Sequence, residues 1–172
     1  MPDQELTLES LLAAVEQRLR AVLPEAVQIL RGPLGTATPQ LPALLLEYAA
    51  LAPGRDPGTG ETALLCRLQA RLLLQRDDAE AEVLALQLAS LIAVLLRAQT
   101  WDLPLEPAGF VQARPEASEA YRVWLLEWDQ PLLLGTPEWP WEDLPPGSLL
   151  LGIEPQTGPG HEADYFAPED LA

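Results

Sequence analysis

The chain has 172 residues and sets 26 Asp and Glu against 10 Arg with no Lys, a formal net charge of −16. That length suits one domain with an appended arm, and 48% hydrophobic residues suffice for a core without disulfide or metal. One cysteine (Cys66) and one histidine (His161) exclude an internal disulfide and multi-cysteine or His-rich metal sites, while the anionic balance argues against gripping phosphate backbones.

The start, Met1-Pro2-Asp3-Gln4-Glu5, lacks the basic region of a signal peptide. No apolar run reaches the ~18–20 residues of a membrane span. The longest, Val83–Leu96, is interrupted by Gln87 and Ser90. A soluble cytoplasmic product with no membrane partner is expected.

Leu8, Leu11, Leu12, Val15, Leu19, Val22 and Leu23 recur at helical spacing, with Thr7 placed to cap the start and Pro24 to stop the end. Ala26–Arg31 reads as a short strand. Gly32–Pro42 is a loop broken by Gly32, Pro33, Gly35, Pro39 and Pro42. Ala43–Leu51 fits either period, and its length and flanking breakers favour a strand. Pro53–Gly60 is a polar turn suited to joining antiparallel strands.

From Leu64 to Gln75 the chain alternates. Leu64, Cys66, Leu68, Ala70, Leu72 and Leu74 form one row, and Arg67, Gln69, Arg71 and Gln75 fall in the other. Period two marks a strand with one buried and one wetter face. Asp77-Asp78-Ala79-Glu80 then resembles a capping box with Asp77 at the cap. The spacing predicts a helix to about Ala98, turning Val83, Leu84, Leu88, Leu91, Ile92, Leu95 and Leu96 inward. Being apolar around most of its circumference, this helix must be covered on more than one side.

Trp101–Pro107 reads as a linker. Phe110–Arg114 and Tyr121–Leu134 read as an antiparallel pair joined by the Pro115–Ala120 turn, with Trp124, Leu126 and Trp128 on one face. Beyond Gly135 prolines crowd the chain and no Arg occurs, so the chain divides into a core domain, 1–135, and an acidic Pro-rich arm, 136–172. The apolar pieces Trp139-Pro140-Trp141 and Leu149–Ile153 predict that the arm lies on a surface, with its last residues disordered.

No catalytic constellation is present. His161 and Asp164 stand together without a second His, so a hydrogen-bonded His is the plainer reading than a metal ligand. Cys66 lies in an apolar row, which suits an inert thiol. Gly54-Arg-Asp-Pro-Gly58-Thr-Gly60 lacks the Lys-Ser/Thr ending of a phosphate loop. The chain is read as non-enzymatic, with no cofactor and no metal. Four of the five Trp (Trp124, Trp128, Trp139 and Trp141) lie close together. Core and arm packing is one account of them, and anchors of an interface between chains is the other.

The element order, with the Leu64–Gln75 strand running into the Asp77–Glu80 helix start, resembles the tail terminator and tail-completion proteins of long-tailed phages and related contractile injection particles. The arm segment Pro155-x-x-Gly158-x-x-His161-x-x-Asp164-Tyr165 is similar to the C-terminal stretch of small phage tail proteins. The resemblance implies an α+β fold, two helices packed on one face of a mostly antiparallel sheet, with the arm extended. It implies a homohexameric ring that caps the tail tube and joins it to the neck. The implied partners are copies of itself, tail-tube and sheath proteins, and head–tail connector proteins, with DNA passing unbound. The implied location is the virion tail or neck, after synthesis in the host cytoplasm. Candidate interface residues are Trp124, Trp128, Trp139, Trp141, His161, Asp164, Tyr165 and Phe166. The alternative is an acidic secretion-chaperone-like dimer, which would expose an apolar groove and hold an extended effector segment.

Overall fold

The structure, a computed structural model, describes residues 6–34, 38–137, 150–153, 157 and 160–167. Two compact units are present, Met1–Glu138 and Trp139–Ala172. Most of the predicted arm, including Trp139, Trp141 and Leu149, lies outside the described residues.

In the first unit, helix α1 (Leu8–Val22) begins at a reciprocal cap. The Thr7 side chain accepts from the Ser10 backbone N–H (3.0 Å), and the Ser10 hydroxyl oxygen accepts from Thr7 N–H (2.9 Å). Pro24 follows the cap residue Leu23, and the helix turns Leu11, Val15 and Leu19 inward. Strand β1 (Gln28–Arg31) starts two residues later than predicted and pairs in parallel with β2 (Ala43–Pro53). The ambiguous Ala43–Leu51 segment is therefore a strand. Leu44 and Leu46 point to the core, and a bulge between Tyr48 and Ala50 marks where the strand leaves it.

Strands β3 (Thr62–Gln75), β4 (Gly109–Glu116) and β5 (Tyr121–Leu134) complete a five-stranded sheet in the order β1-β2-β3-β5-β4, antiparallel except at β1. Helix α2 (Ala81–Leu95) and α1 share one core with the same sheet face, so the fold is α+β, helices on one side. That face carries the apolar row of β3 together with Leu44, Leu46, Leu126 and Trp128. On the opposite face the polar row of β3 is tied across the sheet. Arg67 makes two 2.8 Å bonds to Asp129, Arg71 pairs with Glu116 (2.8 Å) and Glu47, and Gln69 donates to Glu47 (2.6 Å). Leu73, Val123 and Ala43 fill a second, smaller cluster. Pro131 is tolerated in β5 because β4 pairing ends at Gly109 opposite Asp129, leaving β5 an edge beyond it.

Two expectations are corrected. Asp77 does not cap α2: the Asp78 carboxylate accepts from Glu80 N–H (2.9 Å) in a preceding turn, and the helix starts later, with Glu80 as an N-cap lacking a side-chain bond. Val83 and Leu91 point outward, not inward. The face that meets the sheet and α1 is built on Ala81, Ala85 and Ala89 with Leu88 and Ile92, because small side chains let the layers approach closely while larger ones are pushed outside. Trp101–Pro107 is the connection expected between α2 and β4, but its first residue is a core side chain. Trp101 is 2% exposed, and its ring lies 6.2 Å from that of Trp128, centroid to centroid. Its indole N–H donates to Gln130 (2.7 Å), whose own amide donates to the Glu106 carbonyl (2.7 Å). Burial of Gln130 is thereby satisfied at both ends.

The chain reaches that plug through left-handed backbone at Ala98 (φ 54°), Trp101 (φ 61°) and Asp102 (φ 58°). A Cβ in this region costs about 1–2 kcal/mol, which glycine avoids, offset in part by glycine's freer unfolded state. Ala98→Gly should therefore stabilise the protein by about 0.5–1 kcal/mol. The check is a higher urea midpoint at unchanged slope, and a lower midpoint would contradict the strain.

Candidate interaction surface

Trp128 is fully buried, so it is a core residue and offers nothing to a partner, contrary to its expected interface role. Trp124 is half-buried against the same core. The indole nitrogens of both are buried without a hydrogen-bond partner among the described residues, which fits rings placed for packing and not for polar recognition. Trp139 and Trp141 lie outside the described residues.

In the second unit the remaining candidates form a local turn. His161 Nδ1 lies 2.9 Å from an Asp164 carboxylate oxygen, across the single 3-10 turn Glu162–Asp164. Leu151 and Phe166 exchange backbone hydrogen bonds of 2.8 and 3.1 Å. Tyr165 packs over Gly152, where an added Cβ would sit 2.9 Å from the ring. The structure brings His161, Asp164, Tyr165 and Phe166 into one short segment and keeps Trp124 and Trp128 in the core of the other unit. Among the described residues no three His, Cys, Asp or Glu side chains converge as metal ligands.

The arginines of the first unit are mostly spent on carboxylates. Six of the ten arginines sit in carboxylate pairs: Arg18, Arg20, Arg31, Arg67, Arg71 and Arg122. Arg20, with help from Arg31, holds the Glu16 carboxyl below its ordinary range against the opposing effect of burial. Burial works against the charge of Arg71, yet Glu116 and Glu47 outweigh it and raise its pKa. Such pairing leaves no cluster of free cations among the described residues. Cys66 is wholly buried, and burial pushes its thiol up to about 11. Among the described residues no helix is long and apolar enough to cross a membrane.

What stands out is the outer face of α2. Val83 (51% exposed), Leu86 (48%), Leu91 (41%) and Val94 (75%) line a shallow groove of about 680 Å³ with Gln87 and Ser90. None of the six ionises. Scattered exposed apolar residues are ordinary, whereas a contiguous row of four on one helix is the mark of a contact surface. The sequence signals this only as a helix apolar all round; which side is covered depends on the alanine stripe described above. A second exposed pair, Phe110 and Val111, sits on β4, the sheet's edge strand, at a bulge between Phe110 and Gln112.

No model of a known protein family matches the chain, and no curated protein matches it either.

The state of Cys66 is directly measurable. At pH 8 the native protein should not react with a disulfide reagent, and the thiol should label fully only in denaturant, because the thiolate is both scarce and inaccessible. Rapid labelling of the native protein would show that the strand opens at this point.

Proposed function

We propose that this chain is a non-enzymatic assembly protein that acts through contact with other polypeptides, in the form of an acidic, secretion-chaperone-like dimer that holds an extended segment of a client. The single observation that carries this reading is the apolar outer face of α2, exposed among the described residues, on an otherwise carboxylate-rich chain. Water-exposed Val and Leu side chains arranged along one helix gain free energy only when another apolar surface covers them. A chaperone of this class needs such a surface, a strongly anionic exterior that keeps it soluble, and no reactive centre.

A second reading keeps the chain as a tail terminator: a ring-forming virion component of the tail or neck, made in the host cytoplasm, that meets the tube, sheath and connector proteins. Its support is the succession of helix, short strand, two long strands, helix and strand pair, together with the tying of arginines into carboxylate pairs. A lumen lined by unpaired carboxylates would let DNA pass without holding it.

Light scattering on the full chain after size-exclusion chromatography separates the two. The mass of two chains is expected. The mass of six would transfer the conclusion to the ring, and a single chain at micromolar concentration would remove the chaperone form.

A further inference from the structure

The two ends of the α2 groove are electrically unlike. Glu80 comes three residues before Val83 and Arg97 three after Val94, so helical spacing sets both beside the groove, on opposite flanks. Both are exposed, and neither has an ion pair among the described residues. Around the first end stand the carboxylates of Asp77, Asp78, Glu80 and Glu82. The two arginines near them are engaged, Arg122 with Glu82 (3.2 Å) and Arg76 with the Ser118 and Glu119 carbonyls. That end is anionic. Beyond Val94 the charge is that of Arg97.

Between these ends the floor is uncharged. Val83 to Val94 is eleven residues of helix, about 16 Å, which about five residues of extended chain also span. Alternate side chains of such a segment face the floor, while its backbone meets two polar groups midway. The Gln87 amide has no hydrogen-bond partner among the described residues, and the Ser90 hydroxyl, which donates to the Leu86 carbonyl (2.7 Å), keeps an oxygen free to accept. We propose that the client held here is an extended stretch of about five residues with alternate apolar side chains, basic at the end over the start of α2 and acidic at the end beside Arg97. The inference rests on the client reading above and names the chemistry of that client. An uncharged floor alone would hold any apolar stretch. The charged ends select among them and fix which way round the segment lies, and a net charge of −16 turns away segments that are acidic throughout.

The test uses the full chain and three synthetic peptides sharing a core of alternating leucine and threonine. One carries lysines at one end and glutamate at the other, the second serines at both ends, the third lysines at both. By fluorescence anisotropy in about 20 mM salt the first should bind about five- to tenfold tighter than the second, and the difference should vanish near about 0.5 M. The third should bind more weakly than the first, and Arg97→Glu should reverse that order. Val94 is 75% exposed, so Val94→Glu should leave circular dichroism unchanged. It should weaken all three peptides at least about tenfold, by setting a carboxylate on the apolar floor. A photo-cross-linker at the lysine end of the first peptide should label residues 77–83 and not 94–97.

If none of the three binds, the groove holds no client and the reading above falls with this one. Equal affinities for the first two peptides at low salt, tighter binding of the third, or labelling at both ends would keep the groove as a client site and overturn this client chemistry. Binding that ignores Val94→Glu would place the peptide elsewhere and overturn it too.

Discussion

A sheet with helices on one side only can cover just one face of each helix, and that constraint shapes the rest of this molecule. The apolar row of β3 runs down the middle of the sheet, between β2 and β5, and both helices converge on it. α1 meets the constraint with an amphipathic sequence whose exposed side carries Glu9, Gln17 and Arg20. α2 does not. Its sequence is apolar on all sides, and the two-layer arrangement leaves half of it facing water. The surplus is the surface from which the functional reading comes.

The far face of the sheet solves the opposite problem. Arg67 and Arg71 rise from the central strand toward water and are met by carboxylates from both flanking sides: Asp129 on β5, Glu47 on β2 and Glu116 on β4. Partly exposed pairs of this kind contribute only modestly one by one. Their larger effect is on register, since a slip of one residue would turn each Arg to the helix side and strand its partner. Arginine is suited to this because its fork meets a carboxylate with two bonds, as Arg67 does with Asp129.

Where one element alone sets a pattern, the sequence was enough to read it. The strict alternation of β3 and the stripe of α1, with Thr7 before it and Pro24 after it, led straight to the observed elements. α2 was legible as a helix but not as a surface, because when every position is apolar no periodicity distinguishes inside from outside. There the packing of Ala81, Ala85 and Ala89 decides, and it is a property of the layer beneath. The burial of Trp101 was invisible for a similar reason: its partner, Gln130, comes 29 residues later, and nothing in the local sequence Thr100-Trp101-Asp102 announces it. The parallel pairing of β1 with β2 likewise follows from where the chain returns after Pro42. Of the named candidates, the sequence could group His161 with Asp164 by proximity but could not tell that Trp128 belongs to the core.

The two margins of the sheet have a further consequence. β1 offers only four residues, and β4 is kinked by its bulge and lacks an amide proton at Pro115. Among the described residues neither outermost strand presents a long, flat ladder onto which another strand could zip. Pairing by backbone alone is thereby discouraged at both outermost strands, which leaves side-chain surfaces as the places where this polypeptide meets others.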